Sequence, residues 1–260
     1  MPGFVSHTVM AQDVYKNIDN KYVNKDVMIT YSLGGDLCKY AKCRYDSHHK
    51  DMDKFIYAMA DYIKENDLTL DKDLMGVLYG HICHYVMDSV IHPLVRCADR
   101  NCIKNKKNHT LIEVYYDNYL VNNIFNTSRK EYLKKINLLS SKNNLVNKMI
   151  DYVYLNIYNT NKVSKYYKFN LFLYRRLRGL YLLFTEKFIN NVIGLNKLIK
   201  KNNINLCNND NKLCYRDYLG INEDTDLLDL YDMSVEVAIE YIKNINKYLK
   251  SWQVFVFMIT

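Results

Sequence analysis

The sequence predicts an all-α fold, arranged as a helical bundle in a single domain over residues 1–260. Several long segments repeat apolar residues every three or four positions, which is the spacing of an amphipathic helix. No segment shows the sustained alternation of apolar and polar residues that is typical of a half-buried strand. The chain also has only 8 glycines and 2 prolines, so we expect long helices and few tight turns.

Three helices are predicted in the first 70 residues. The first runs from Phe4 to Ile18, and the second from about Asp26 to Leu33, where Gly34-Gly35 favours a helix end. We expect Asp36 at the mouth of the following loop, over residues 38–47. The third helix is predicted from apolar residues that share one face: Phe55, Met59, Tyr62 and Ile63.

The central helix is predicted from Asp73 to about Val95, and we expect it to end at Pro93 or soon after, because proline interrupts a helix. Asn108 is a candidate cap for the next helix. Three further amphipathic helices follow. The first is marked by Leu145, Met149, Ile150, Val153 and Ile157, and the second by Leu173, Leu177, Leu180, Phe184 and Phe188. The third is marked by Val235, Ala238, Ile242, Ile245 and Leu249. Residues 201–212 are predicted to form an Asn-rich surface loop, and the apolar residues 252–260 have no recognisable pattern.

The composition of the chain indicates which class of partner and which cellular compartment to expect. The formal charge of +8 suits an anionic partner such as a membrane surface or a nucleic acid. The 7 cysteines are scattered and odd in number, which favours free thiols over a disulfide framework. Residues 1–10 lack the pattern of a secretory signal, and no window has the ~18 apolar residues of a membrane span. We therefore expect a cytoplasmic protein, with secretion by another route as the alternative.

Histidine and carboxylate residues recur at helical spacing around the central helix. His84, Asp88 and His92 lie one turn apart on one predicted helix, and His109 and Glu113 repeat the spacing on the next. Imidazole nitrogen and carboxylate oxygen are zinc ligands, and their burial without partners would cost several kcal/mol. The spacing favours a zinc site over a set of solvated helix faces.

The distribution of histidine supports a site in the first part of the chain. All seven histidines precede residue 110: His7, His48, His49, His81, His84, His92 and His109. We therefore expect the metal ligands in residues 1–120, and a scaffold with a wall for the substrate in residues 121–260.

Other polar residues have two interpretations each. His81 is either a partner that orients His84 or a core histidine whose hydrogen bonds are satisfied. Asp117 either supports Glu113 or faces water. His48 is favoured over His49 as a ligand, but both remain open. The arginines of the helix predicted from Leu173 to Phe188 either bind phosphate or line a solvated face: Arg175, Arg176 and Arg178.

The ordered set of motifs resembles the zinc-dependent phospholipase C family, and in particular its short bacterial members. The resemblance rests on the opening MPGF-x-x-H, Gly35-Asp36, the core YGHICHYVMDSVIHP and the His109-x3-Glu113 pair. The family shares its fold and its site of three zinc ions with single-strand-specific zinc nucleases. The motifs cover about residues 1–120, and they are specific as a set.

The resemblance implies three zinc ions per chain. One ion would be held by Asp36, His48, His84 and Asp88, and another by His92, His109 and Glu113. The third would be held by His7, a second oxygen of Asp88, and the terminal amine and carbonyl of the chain. The family's secreted members start with a Trp that binds this ion, whereas here the candidate is Pro2 after removal of Met1. The resemblance also implies that Asp36 is the general base.

The function implied by the resemblance is phospholipase C-type hydrolysis of a phosphodiester in phospholipid head groups, by a hydroxide held on zinc. The substrate would then be a phospholipid or membrane surface, met by a peripheral enzyme without a transmembrane segment. One alternative is a single-strand nuclease or phosphodiesterase that uses the same zinc ions, with nucleic acid as the substrate. The other is a non-enzymatic metal-binding protein. The oligomeric state does not follow from the sequence.

Overall fold

A computed structural model describes residues 3–38, 52–101, 109–139, 141–197, 206–209 and 225–251 of the protein. These residues are helical or irregular, and none of them lies in a strand. The helices are α1 Phe4–Asn17, α2 Lys25–Tyr31, a 3₁₀ helix Gly34–Cys38, α3 Met52–Glu65, α4 Lys72–Asn101, α5 His109–Phe125, α6 Arg129–Lys135, α7 Asn144–Tyr158, α8 Ser164–Leu183, α9 Glu186–Val192 and α10 Leu227–Lys250. The predicted all-α class is confirmed.

The chain forms two compact units, which interleave along the sequence. Unit 1 contains Met1–Met10, Val86–Ile136 and Arg176–Glu236, and unit 2 contains Ala11–Tyr85, Asn137–Arg175 and Val237–Thr260. Four helices, α1, α4, α8 and α10, run from one unit into the other. The single domain over residues 1–260 stays a prediction.

In unit 2, α3 packs against α7 through the apolar face that its sequence predicts. Phe55, Met59 and Ile63 are buried, as is the face of α7 that carries Met149 and Val153. The ring of Phe55 meets Tyr154 edge-on, with centroids 5.0 Å apart. Burial of these side chains stabilises the helix pair by about 1.5–3 kcal/mol for each one.

Helix α2 ends earlier than predicted, and the segment after it is helical. Its last residue is Tyr31, and Gly34–Cys38 forms a 3₁₀ helix in which Asp36 is buried. Asp36 therefore lies in a helical turn directly before the predicted loop. Its position at the mouth of that loop stays a prediction, because residues 39–47 lie outside the described residues. A Cβ on Gly80 of α4 would lie 2.6 Å from the carbonyl oxygen of Met28, so this glycine lets α2 approach α4 closely.

Helix α4 continues past Pro93, where the sequence predicts its end. It runs for 30 residues, with Pro93 in its interior. The proline removes one backbone hydrogen bond at a cost of about 3 kcal/mol. Beyond it, Leu94, Val95 and Ala98 are completely buried. The apolar burial on this last part of the helix offsets the cost of the proline.

Unit 1 contains α5 and α6, which contact each other. Ser128 caps α6, because its Oγ accepts a hydrogen bond from the backbone N–H of Glu131 at 3.2 Å. Tyr132 of α6 is buried and its hydroxyl donates to Thr8 Oγ1 of α1 at 3.2 Å. Residue Asn108, the predicted cap of α5, lies outside the described residues.

The helix predicted from Leu173 to Phe188 is two helices in the structure. Helix α8 ends at Leu183, and Thr185 starts α9 by accepting a hydrogen bond from the N–H of Phe188 at 3.2 Å. The side chains expected on a buried face are mostly exposed, including Leu177, Leu180 and Phe188. Sequence periodicity identifies an apolar face but not whether another element covers it.

The last predicted helix is confirmed, with Ala238, Ile242, Ile245 and Leu249 buried on one face of α10. None of the described helices is long and apolar enough to cross a membrane. Cys38, Cys83, Cys97 and Cys207 are buried, and no disulfide joins any of these described cysteines to another. The predicted loop over residues 38–47 beyond Cys38, most of residues 201–212 and the tail 252–260 lie outside the described residues.

Candidate metal centre

Two of the predicted ligands in unit 2, Asp36 and His84, lie next to each other. Asp36 is only 7% exposed, and its carboxylate offers an oxygen within 4.8 Å of a ring nitrogen of His84. Nδ1 of His84 is 3.1 Å from the carbonyl oxygen of Ser32. A carbonyl only accepts hydrogen bonds, so Nδ1 carries the proton and the neutral ring keeps its lone pair on Nε2. His84 is therefore held in the tautomer that can bind a metal through Nε2.

Gly34 places the backbone directly against the ring of His84. Its φ is +40°, a conformation that side chains disfavour. A Cβ at this position would lie 2.3 Å from Cγ of His84. The glycine is therefore needed both for the start of the 3₁₀ helix that carries Asp36 and for the position of the His84 ring.

His81 is a core histidine whose two ring nitrogens already have partners. Nδ1 donates to the carbonyl oxygen of Val77 at 2.9 Å, and Nε2 accepts from the Tyr167 hydroxyl at 3.0 Å. Burial lowers the pKa of His81 to about 4, so its ring is neutral at pH 7. Of the two interpretations from sequence, the structure supports the satisfied core histidine.

In unit 1, the predicted ligands His7 and Asp88 are in contact. Nε2 of His7, in the first turns of α1, lies 3.4 Å from Oδ1 of Asp88 on α4. The side chain of His7 is completely buried, and that of Asp88 is 14% exposed. A buried imidazole beside a carboxylate is the donor chemistry that zinc prefers.

The other predicted ligands in unit 1 form a second group. The rings of His92 and His109 have centroids 5.4 Å apart, and Nε2 of His109 is 3.0 Å from Oε1 of Glu113. Burial lowers the pKa of His92 to about 3, although the charge of Asp88 opposes the shift. The ring of His92 is therefore neutral at pH 7, as a metal ligand must be.

Asp99 joins this group, although the sequence analysis does not identify it. Its Oδ2 lies 3.9 Å from Nδ1 of His109, on the other side of the ring from Glu113. A histidine that binds zinc through one nitrogen is usually oriented through the other by a carboxylate or a carbonyl. At 3.9 Å, Asp99 lies near His109 without a hydrogen bond to it. Asp99 lies seven residues after His92, a spacing that puts both on one face of α4. Its proximity to His109, ten residues later on the next helix, has no periodic signal in the sequence.

Asp117 is the second residue that sequence reasoning does not place. It does not face water, because its side chain is only 1% exposed. Its Oδ1 accepts from the backbone N–H of Ser6 at 2.8 Å and from the Ser6 hydroxyl at 2.6 Å, and Oδ2 accepts from the N–H of Val5 at 3.3 Å. Burial raises the pKa of Asp117, and Arg129, 3.5 Å away, opposes the shift. Asp117 thus fixes the first turn of α1, the turn that carries His7.

Arg175 and Arg178, which the sequence offers as phosphate ligands, donate hydrogen bonds to backbone carbonyls. Arg175 Nε donates to the carbonyl oxygen of Leu138 at 2.8 Å, and Arg178 Nη1 donates to the carbonyl oxygen of Ile136. Arg176 is exposed on α8.

Pro2, His48 and His49 lie outside the described residues, so the choice between His48 and His49 stays open. The described members of the predicted ligand set are His7, Asp36, His84, Asp88, His92, His109 and Glu113. Their nitrogen and carboxylate oxygen atoms fit zinc chemically, and the hydrogen bond to the Ser32 carbonyl orients the His84 ring as a zinc ligand requires. Their roles as ligands stay predictions.

Comparison with known proteins gives one match. A family model described as zinc dependent phospholipase C matches residues 6–169, which is more than half of the chain. The matched range includes every predicted side-chain ligand and excludes Pro2. No curated protein and no solved structure matches the chain.

Proposed function

We infer that this chain, which belongs to the zinc-dependent phospholipase C family, cleaves phospholipids at the phosphodiester bond between glycerol and the head-group phosphate. The family is a family of hydrolases, and the chain is accordingly a zinc-dependent, phospholipase C-like phosphodiesterase. The observation that carries the proposal is the match over residues 6–169, which contains the whole set of predicted side-chain donors. Of these, His7, Asp36 and His84 are buried.

The donor set is proposed to hold about three zinc ions, as in a multinuclear phosphodiesterase site. Asp36 and His84, both in unit 2, are buried and offer a carboxylate oxygen and a ring nitrogen within 4.8 Å of each other. We assign Asp36 and His84 to one ion, with Asp88 and His48, and His7 to its neighbour, with Asp88 and the chain start at Pro2. His92, His109 and Glu113 are assigned to the remaining ion, and the contact between His109 and Glu113 supports this grouping.

When bound, zinc supplies a Lewis acid for the phosphoryl oxygens and lowers the pKa of water to about 7. Asp36 is proposed to accept a proton from the attacking water, which forms the new P–O bond as the bond to the glycerol oxygen breaks. The departing alkoxide takes a proton from solvent. Burial of Asp36 beside the His84 ring holds its carboxylate in one position, which favours this role.

A comparison of substrates tests the proposed reaction. Purified protein is incubated with phosphatidylcholine, with other phospholipids and with single-stranded DNA. Diacylglycerol and the phosphorylated head group are the expected products from lipid. Asp36→Asn keeps the size of the side chain and removes the base, so its turnover should fall by ~100-fold or more.

The control for Asp36→Asn is its zinc content, which should fall much less than its turnover. Cleavage of DNA without cleavage of any lipid would assign the site to a nuclease. Bound zinc without hydrolysis of either substrate would leave a metal-binding protein, and the proposal would be wrong.

A further inference from the structure

The second half of α8 and the whole of α9 expose a series of large apolar side chains in unit 1. Leu183 is 77% exposed and Val192 is 68% exposed. We refer to the complete series as the apolar strip, which consists of Leu177, Leu180, Leu183, Phe184, Phe188 and Val192. A soluble surface normally scatters such residues singly, so a contiguous set indicates an interaction site.

Helical spacing makes the strip continuous. Leu177, Leu180 and Leu183 lie three residues apart on α8, so they follow one side of the helix. Phe184 and Phe188 stack with ring centroids 5.1 Å apart, and Val192 follows one turn later on α9. The stacked rings of Phe184 and Phe188 therefore connect the exposed apolar residues of α8 with those of α9 across the break at Thr185.

Basic residues accompany the strip. Arg176 and Lys187 are exposed among its members. Lys130, at the start of α6, donates from Nζ to the carbonyl oxygen of Phe184 at 2.7 Å, which brings α6 to the strip. Helix α6 also exposes Lys134 and Lys135, and its acidic residue Glu131 is paired with Lys134. The charged side chains named here around the strip are thus mostly basic, and the sequence of the strip region also contains Glu186, the first residue of α9.

We propose that the apolar strip and its cations are the surface by which the enzyme adsorbs to an anionic phospholipid bilayer. Leu and Phe side chains enter the boundary between head groups and acyl chains, while Arg and Lys meet the lipid phosphates. Charge complementarity favours this occupant over a second copy of the chain, because two copies would bring like charges together. The proposal rests on the proposed function, since it brings the enzyme to its lipid substrate.

Co-sedimentation with vesicles tests the docking surface. One vesicle preparation is phosphatidylcholine alone, and the other contains phosphatidylcholine and phosphatidylglycerol in equal amounts. The wild type should bind the anionic vesicles more tightly. The double variant Leu180→Glu/Leu183→Glu should lose ~10-fold or more of this affinity, because it removes two inserted side chains and adds two negative charges.

A matched control separates the surface from the change in net charge. Leu70 and Leu155 are exposed leucines of unit 2, at 69% and 47%. Leu70→Glu/Leu155→Glu changes the net charge equally and should retain most of the affinity. A third variant, Arg176→Gln/Lys187→Gln, should weaken binding to anionic vesicles more than to phosphatidylcholine vesicles. Equal losses in the strip variant and the control variant would overturn the proposal.

Two further measurements keep docking and catalysis apart. On a short-chain phosphatidylcholine below its critical micelle concentration, the strip variant should turn over like the wild type, and its zinc content should be unchanged. A wild type inactive on every lipid but bound to anionic vesicles would contradict the proposed function and leave the docking surface supported. If the strip variant converts a dimer into a monomer and still binds vesicles normally, the strip is a self-association surface and the proposal is wrong.

Discussion

Gly34 determines the position of the predicted metal ligand His84, because its backbone leaves room for the His84 ring. Its backbone lies against the His84 ring, and its φ is +40°. Gly34→Ala should lower the free energy of unfolding by about 1–2 kcal/mol from the backbone conformation alone, and the contact with the ring adds to this loss. Displacement of the ring should also weaken zinc binding. Thermal unfolding and the zinc content of the purified variant measure the two effects.

Gly179 provides the matched control for Gly34. It lies within α8, and a Cβ added there would meet no atom within 4 Å. Gly179→Ala should therefore stabilise the protein by about 0.5–1 kcal/mol, because alanine favours the helix. Its zinc content should equal that of the wild type. If Gly34→Ala behaves like Gly179→Ala in both measurements, the close approach to His84 does not control the site.

His81 makes the stability of the protein dependent on pH. Burial lowers its pKa from 6.5 to about 4, so the unfolded chain binds the proton at a higher pH than the folded protein does. The stabilisation is complete above about pH 6.5 and is lost as the pH falls toward 4, by up to about 3 kcal/mol. His81→Gln cannot titrate, so its unfolding free energy should fall less over this range.

Denaturant unfolding of both proteins at several pH values, with equal free zinc, measures this difference. The predicted zinc ligands are the same in the wild type and in His81→Gln, so their protonation cancels when the two proteins are compared. Parallel pH profiles would contradict the assignment of His81 as a neutral core residue.

At the scale of the elements, Asp117 connects α5 to the start of α1. Helix α5 thus carries His109, Glu113 and the carboxylate that holds the turn containing His7. Asp117→Ala leaves three donors of Val5 and Ser6 unpaired, together with the Arg129 charge, and should destabilise the protein by about 3 kcal/mol or more. The same change should lower the zinc content, because His7 loses its fixed position.

Ser6→Ala is the graded control for Asp117→Ala. It removes the hydroxyl donor to Asp117 and keeps both backbone donors. A loss of about 1 kcal/mol is expected, with little loss of zinc. Asp117→Asn retains an acceptor oxygen and should restore part of the zinc binding. If Asp117→Ala destabilises the protein but retains full zinc, Asp117 has a structural role only.

Individual helices show which structural features local sequence patterns predict correctly and which they do not. The spacing of Phe55, Met59 and Ile63 predicts the buried face of α3 correctly, because helical period and burial agree there. The end expected at Pro93 is wrong, since burial beyond the proline, which depends on tertiary packing, outweighs a local penalty. The expectation that the leucines of α8 are buried is also wrong. Their helical spacing is correct, but these leucines are exposed because no described element covers them.

At the scale of the whole molecule, the predicted site depends on two kinds of information. Helical spacing along one segment identifies His84, Asp88 and His92, and the pair His109 and Glu113. Contacts between different helices place Asp99 near His109, and they place Asp117 beside Ser6, which lies 111 residues away in the sequence. One sequence contains no periodic signal for such pairs, so these supporting carboxylates are recognised only in the folded chain.

The zinc content of the whole chain tests the complete ligand set. We predict about three zinc ions per chain, because two-metal and larger phosphodiesterase sites use histidine and carboxylate donors of this kind. Atomic-emission analysis after gel filtration in buffer without chelator measures the ratio. Zinc binds only the folded site, so its removal by a chelator should also lower the Tm.

A substitution of Asp88 tests whether the zinc ions share ligands in one multinuclear site. It contacts His7 at 3.4 Å and is proposed to bind two ions, so Asp88→Ala should lose more than one zinc ion per chain and lower the Tm. Asp229, in the first turn of α10, is a carboxylate outside the predicted set, and Asp229→Ala should keep the full zinc content. If the zinc ions instead occupy separate sites with no shared ligand, Asp88→Ala should lose one zinc ion at most. A wild type that retains only a trace of zinc contradicts the three-ion site altogether, whereas full zinc and an unchanged Tm in Asp88→Ala exclude Asp88 as a ligand.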